Sequence, residues 1–549
     1  MHTIEVVLAM LVAVVASGYL VRVLPFSLPL PLVQIGLGAV IAGVFNRGHA
    51  LEPEVFFLLF LPPLLFLDGW RIPKQGLFRD KGAILELAFG LVVFTVIGAG
   101  LLIHWMIPVM PLAVCFALAA IVSPTDPVAV GAIASKAPIP KRLMHILEGE
   151  SLLNDASGLV CFRFAVAAVM TGSFSLATAS LTFLWVAVAG LAVGVAVTLG
   201  VSTFQRWLWR RFGEEPGAAM LVNLLIPFAA YLLAEEIHAS GILAAVAAGI
   251  AMSYVELTGR VSGSMRVQRA GVWNMLQFSF NGIMFVLLGE QLPGIVERAT
   301  TTMNESGHQS AWWLLVYVVV INLALILLRL LWVWLSLRWN LLRARRRGLE
   351  RGEAPNWRIV VATSVAGVRG AITLAGVLTL PLFLPDGSAF PARDLVIFLA
   401  AAVILFSLVG ASVALPQLLK GLQLPADSGE RKEEDLARKL SSKAALAGVE
   451  RMRQQLVMNQ NTENVQLYND AASRVSLLYQ RHLEKDNDGP DVDPEKVRRM
   501  ELGYRQLRSA GLNAEREELF RLTRRGVISD EISRRLIRNL DLLESRKRE

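Results

Sequence analysis

Thirteen blocks of mostly apolar residues follow one another along the first 420 positions of this 549-residue chain. Each is close to the ~20 residues that a bilayer-crossing helix requires. They lie at about 4–21, 28–45, 54–70, 83–107, 112–134, 147–170, 180–204, 217–237, 240–256, 271–290, 311–336, 358–383 and 394–418. Lipid offers no partner to a backbone N–H or C=O, so such blocks can cross only as helices. The expected fold is an all-α polytopic membrane protein of about 13 transmembrane helices. Splitting 217–256 into two spans rests on the polar break at Glu235, Glu236 and His238, ahead of Ser240-Gly241. Beyond the last block the pattern changes to charged and intermittently amphipathic. The chain therefore divides into a transmembrane domain, 1–422, and a helical cytoplasmic tail, 423–549.

The chain is 54% hydrophobic with a net charge of +8. In a soluble protein that charge would suggest nucleic acid; in a membrane protein it orients the chain. With the N-terminus outside, 21 Lys and Arg fall in the alternate, cytoplasmic loops and 3 in the others. The N-terminus is thus expected in the periplasm and the tail in the cytoplasm. The first block has no basic leader and reads as an uncleaved span, although Ala16-Ser17-Gly18 resembles a cleavage site. The two cysteines, Cys115 and Cys161, both lie in apolar blocks, so no disulfide framework is indicated.

Ionisable groups in hydrocarbon are costly and mark function by default. Here they are Asp68, Glu86, His104, Asp126, Glu150, Asp155, Arg163, Arg329 and Arg369, of which Glu86 and His104 read as interfacial. Span 5 carries Ser123-Pro124-Thr125-Asp126-Pro127. Each proline removes an N–H and breaks the helix. Pro124 frees the carbonyl of Ala120, and Pro127 that of Ser123. Free carbonyls beside a carboxylate suit a small hard cation, and broken helices at mid-membrane are how many transporters build ion sites. Span 6 carries Gly149-Glu150-Ser151-Leu152-Leu153-Asn154-Asp155, in which Ser151, Asn154, Asp155 and Gly158 share one helical face. Gly158 allows another helix to approach closely. Glu150 needs a cation, either Arg329 or Arg369, the second bracketed by Gly367 and Gly370. Arg163, further along span 6, is placed to offset charge at Asp155 or to line an outer vestibule. The breakers in spans 5 and 12 are seven spans apart, so the two segments run in opposite directions, as an inverted repeat of spans 1–6 on 8–13 requires.

Together these residues resemble the sodium/proton exchangers of the monovalent cation/proton antiporter-1 family. The resemblance is carried by the Ser123–Pro127 and Gly149–Asp155 segments, by Leu61-Pro62-Pro63-Leu64-Leu65-Phe66-Leu67-Asp68-Gly69, by Ser240-Gly241-Ile242-Leu243-Ala244 and by Gly367-Val368-Arg369-Gly370-Ala371, and it covers about residues 5–420. It implies a core bundle moving against a dimerisation bundle, a homodimer, and a bacterial inner-membrane location. It implies that Asp155 carries ion and proton, with Asp126, Ser151, the Thr125 carbonyl and Asp68 completing the cation shell. Na+ would sit at Asp155, Asp126, Ser151 and Thr125. Asn154 would hold the broken span 5, Glu150 would pair with Arg329, and Arg369 would steady broken span 12. Asp68 stands where some relatives carry Glu, and the family pattern gives Arg163 no role.

The expected activity is secondary antiport of Na+ or Li+ against H+, serving pH and sodium homeostasis, with no cofactor and no enzymatic step. A carboxylate holds either proton or cation, so competition for Asp155 couples the two; burial and the like charge at Asp126 favour proton uptake near cytosolic pH. The pair would titrate as a unit. Asn154 stands where a second carboxylate would make exchange electrogenic, so one-for-one, electroneutral exchange is expected. Oxygen ligands favour Na+ or Li+ without excluding K+. The rival readings are a K+/H+ exchanger of the same fold, an intramembrane aspartyl hydrolase using Asp126 and Asp155, and a sensor signalling through the tail. In the tail, helices are expected to start at Glu433 and Asn513, with a linker at 487–491. Its role is either regulation and dimer contact or a solvated cap.

Overall fold

The computed structural model describes residues 2–24, 28–45, 53–72, 81–126, 130–131, 141–172, 176–213, 215–257, 263–305, 312–346, 357–420, 443–455 and 462–484, with single positions at 440, 458, 519 and 521. Among them the fold is nearly all helical, the exception being one isolated bridge between Phe383 and Ala389. The helices are α1 (His2–Val23), α2 (Leu30–Phe45), α3 (Pro53–Arg71), α4 (Lys81–Met106), α5 (Leu112–Val122), α6 (Lys141–Thr171) and α7 (Leu176–Phe212). They continue with α8 (Pro216–Glu236), α9 (Gly241–Leu257), α10 (Gly263–Glu305), α11 (Trp312–Arg346), α12 (Trp357–Val365), α13 (Ala371–Leu378) and α14 (Arg393–Leu419). Seven of these are long and apolar enough to cross a membrane, and four shorter apolar helices accompany them.

The chain separates into two compact units, Met1–Gln423 and Leu424–Glu549. In the second, α15 (Thr462–Glu484) is an amphipathic helix. The expected tail helix starts at Glu433 and Asn513, and the linker at 487–491, lie outside the described residues.

Within the first unit the helices sort into two bundles. One contains α1, α2, α3, α7, α8, α9 and α10; the other contains α4, α5, α6, α11, α12, α13 and α14. They meet mainly along α10 and α14, with α3 against α13 and α6. The packing carries the inverted repeat that the sequence shows only through parity. Moving seven spans along converts the pair α2–α10 into α9–α3, α1–α10 into α8–α3, and α4–α5 into α11–α12, and all six pairs are in contact.

Two of these pairs are drawn together by glycine. On α2 and α10, a Cβ at Gly38 would meet the Val286 carbonyl, and one at Gly289 would meet the Ile35 carbonyl. On α3 and α9, Gly69 lies against the Val246 carbonyl and Gly249 against that of Phe66. Small residues of this kind let helix backbones touch where lipid gives no hydrophobic drive to associate. Gly289→Val is expected to lower the melting temperature of the purified protein, because backbone cannot yield as a side chain can and overpacking costs about 1–3 kcal/mol or more. Gly36→Ala, with nothing within 4 Å of a new Cβ, is the control and should melt as the parent does.

The breaks fall where the sequence places them. α8 ends at Glu236 and α9 begins at Gly241, with His238 at a φ of 55° in the turn. Span 5 stops being helical after Val122, and Pro124 to Asp126 carry no regular structure. Span 12 is broken between α12 and α13. Its end differs from expectation: the helix stops at Leu378 rather than near 383. Pro381, Pro385 and Gly387 turn the following segment into a tight hairpin, with Gly387 at a φ of 83°. Span 10 is also far longer than its apolar block, a helix of 43 residues, because its polar ends keep helical periodicity beyond the hydrocarbon. α4 contains a π segment at Glu86–Leu91, a distortion often found near functional sites.

Candidate ion site

The two broken helices cross at their breaks. The backbone N–H of Asp126 donates to the Val368 carbonyl at 2.7 Å, joining the unwound segments directly. A helix that stops mid-membrane leaves carbonyls unsatisfied and a partial negative charge at its C-terminal end. Each half-helix here is closed by an arginine. The Arg369 Nε donates to the Val122 carbonyl at the end of α5 (3.0 Å), and its Nη1 donates to the Gly367 carbonyl. The Arg329 Nε donates to the Thr363 carbonyl near the end of α12 (3.1 Å). The backbone N–H of Arg369 is received by Ser407 Oγ of α14 at 3.1 Å. Both arginines are 3% exposed, so neither is solvated in place of these contacts.

Arg329 also forms a bidentate pair with Glu150, Nη1 to Oε1 at 2.5 Å and Nη2 to Oε2 at 2.7 Å. Of the two partners the sequence left open for Glu150, the structure places Arg329 on it and gives Arg369 to backbone carbonyls. From this pair a chain of hydrogen bonds reaches the break in span 5. Thr125 Oγ1 donates to Glu150 Oε1 (3.3 Å), and Asn154 Nδ2 donates to Thr125 Oγ1 (3.2 Å). Gly158 lies against the Pro124 ring, where a Cβ would collide, so α6 fits closely onto the broken segment. Ser157 Oγ donates to the Ala88 carbonyl of the π segment at 2.6 Å, tying α6 to α4.

A small cavity lies on the seam between the bundles, with room of about 40 Å³ for the centres of water molecules, enough for a few. Asp126, Thr125, Ser151, Asp155 and Thr373 line it from one bundle, and Asp68 and Asn281 from the other. Leu64, Leu65, Met284 and Phe285 close its apolar sides. The Asp126 carboxylate packs over Gly370, where any side chain would displace it, and beside the start of α13. Asp155 is 7% exposed. Among the described residues, no hydrogen bond or ion pair reaches the carboxylates of Asp155 or Asp68. Asp68, Asp126 and Asp155 repel one another electrostatically. Three such groups in a low-dielectric site cannot all stay charged without a cation or a proton among them.

A larger vestibule of about 510 Å³ shares Leu65, Asp68 and Ser151 with the cavity. Arg71, His145, Glu148 and Gln277 line it. Arg71 is held by Gln277 Oε1 at 2.6 Å and Asn274 Oδ1 at 2.5 Å, both on α10. Asp68 is therefore the carboxylate common to vestibule and cavity.

Five of the six ion-binding residues expected from the sequence line one cavity: Asp155, Asp126, Ser151, Thr125 and Asp68. Asn154 does not. It is 1% exposed and stands behind the site, because one residue of helical rotation turns it from Asp155 towards Thr125. Pro127 lies outside the described residues. Arg163 is not turned to Asp155; its Nη2 lies 3.5 Å from Glu235 Oε1 of α8, at a mostly exposed position. Sequence reasoning missed Asn281 and Thr373. The signal was present, since Asn281 is one of three amides, with Asn274 and Gln277, inside an apolar block, but a search confined to ionisable groups passes over it.

Comparison with known proteins gives the same direction. The family model described as "Sodium/hydrogen exchanger, transmembrane" matches residues 8–421. The chain is 42% identical to the uncharacterized Na(+)/H(+) exchanger YjcE of Escherichia coli, over 98% of each chain. It is 38% identical to the sodium, potassium, lithium and rubidium/H(+) antiporter of Bacillus subtilis, over 98% of this chain and 77% of that one. The sodium proton antiporter MjNhaP1 of Methanocaldococcus jannaschii has the same fold, with a TM-score of 0.56 at 16% identity over 77% of this chain and 99% of that one.

Proposed function

The chain belongs to the sodium/hydrogen exchanger family, and we propose that it exchanges Na+ or Li+ for H+ by competition at Asp155, with Asp126, Asp68, Ser151 and the Thr125 carbonyl completing the cation shell. The observation that carries this reading is the buried, unbonded Asp155 carboxylate in a cavity shared with two further carboxylates. A proton or a hard cation neutralises it, and either one excludes the other. Asn154 adds no charge, so one cation leaves for each proton that enters, and exchange is electroneutral. Protein in liposomes with a sodium gradient should acidify or alkalinise the lumen at a rate independent of an imposed membrane potential. A current, or a voltage-dependent rate, would contradict the stoichiometry.

The membrane unit crosses the bacterial inner membrane thirteen times, with the N-terminus in the periplasm and the tail in the cytoplasm. The alternation of loop charge supports this orientation. The vestibule lines the ends of α3 and α6 that this orientation turns to the cytoplasm, which supports reading it as the inward route to the site. Export follows when the bundle holding Asp155 moves against the other and opens the site to the far side. The protein works as a homodimer in pH and sodium homeostasis.

A second reading, K+/H+ exchange, is favoured by the range of cations in the name of the Bacillus subtilis relative. Everted vesicles challenged with Na+, Li+ and K+ across a pH series separate the two. Proton movement with Na+ and Li+ at concentrations where K+ gives none supports the first reading; the reverse order supports the second.

A further inference from the structure

We propose that Asn281 is an additional cation ligand of this site, and that it sets selectivity among alkali cations; the inference rests on reading the cavity as the exchange site. Asn281 lies near the middle of α10. Met284 and Phe285, three and four residues on, line the same cavity, so one face of α10 is turned to it. The rotation of α10 is fixed by its neighbour Gly282, which lies against Val14 of α1 and Gln34 of α2.

The other well-placed asparagines of the membrane unit each bond to protein through one end of the amide, although the Oδ1 of Asn154 and of Asn223 has no hydrogen-bond partner among the described residues. Asn154 donates to Thr125, Asn223 to the Ala219 carbonyl at 2.7 Å, and Asn322 to the Val318 carbonyl at 2.9 Å, while Asn274 accepts from Arg71. Among the described residues, the Asn281 amide has no such partner. A free amide facing a cavity at mid-membrane is costly unless something in the cavity uses it. Its carbonyl is a neutral, hard oxygen of the kind that binds alkali and alkaline-earth ions.

Its position gives this ligand a task the carboxylates lack. Asp126, Asp155 and Ser151 all ride on one bundle, whereas Asn281 and Asp68 approach from the other. A neutral ligand on the opposite wall fixes the width of the cage without changing its charge. The attraction between a cation and a carbonyl dipole strengthens as the two approach, so the smaller Na+ and Li+ gain more from contact with Asn281 than K+ does.

The test is cation-driven proton flux in liposomes by Asn281→Ala, Asn281→Ser and Asn281→Asp beside the parent. For Asn281→Ala, KM for Na+ and Li+ should rise about tenfold, as for loss of one hydrogen-bond-strength contact to an ion. KM for K+ should change much less. Asn281→Asp and Asn281→Ser, which keep an oxygen at the position, should recover part of the Na+ affinity. Proton release on adding Na+ to purified protein in detergent gives the same comparison should one variant insert poorly into liposomes. Unchanged KM values in Asn281→Ala, or an equal loss for all three cations that neither oxygen-bearing variant relieves, would overturn the proposal. Failure of the parent itself to exchange would instead strike the reading of the cavity.

Discussion

Asp155→Asn should abolish cation-driven proton flux while the protein still inserts and runs as the parent does in size-exclusion chromatography. The amide is nearly isosteric with the protonated acid, so the packing around α6 has no reason to change. What is lost is the charge that attracts the cation and the site that accepts the proton. No hydrogen bond to this carboxylate from the described residues needs to be replaced. We expect the rate to fall by about 100-fold or more, since the loss of a charged ligand is worth several kcal/mol and each 1.4 is tenfold. Asp126→Asn should also impair exchange, with a smaller loss, because Asp126 still holds the crossing through its backbone bond to Val368. Parental rates in Asp155→Asn would remove Asp155 from its assigned role.

Arg329→Ala should be the most destabilising single change in the membrane unit. Glu150 is 1% exposed, and its only escape from an unpaired charge would be protonation. Removing one partner of a buried ion pair costs about 3–5 kcal/mol, more than the pair contributes relative to apolar residues of the same shape. Thr125 hydrogen-bonds to the same carboxylate, so the loosening should spread to the break in span 5. Glu150→Gln should destabilise in the same direction. The double variant, Glu150→Gln with Arg329→Ala, should lose less than the two single variants sum to, with a coupling energy of roughly 2–3 kcal/mol in a double-mutant cycle. Thermal inactivation of the purified variants reads this directly. Additive losses would mean that Glu150 and Arg329 act independently and that the pair does not hold the site.

Much of this was legible in the sequence because a membrane makes local chemistry decisive. A charge in an apolar block is visible without any alignment, and so are two prolines around Asp126. These features pointed to the break in span 5 and to Asp68, Asp126 and Asp155; the glycines around Arg369 pointed to the break in span 12, and the Thr125 carbonyl was implied only by the family resemblance. The pairing of Glu150 was narrowed to two arginines but not decided, since periodicity says nothing about which of two distant helices lies alongside. Asn154 shares a broad helical face with Asp155, yet one step of rotation turns it behind the site. The end of span 12 was misplaced because the prolines beyond Leu378 sit among apolar residues, which hid the hairpin. Asn281 was missed for a different reason: a neutral amide carries no charge to draw notice, and only tertiary packing shows that nothing nearby satisfies it. The reciprocal helix pairs were invisible because a repeat conserved in packing need not survive in residues.

The central claim is that cation and proton displace each other at one carboxylate. It is tested most directly by titrating purified parent protein with Na+ in weakly buffered detergent solution, recording bound cation and released proton together. One proton should leave for each cation bound, with apparent cation affinity falling as the solution is acidified, and Asp155→Asn should release none. Cation binding by the parent without proton release at any pH would contradict it.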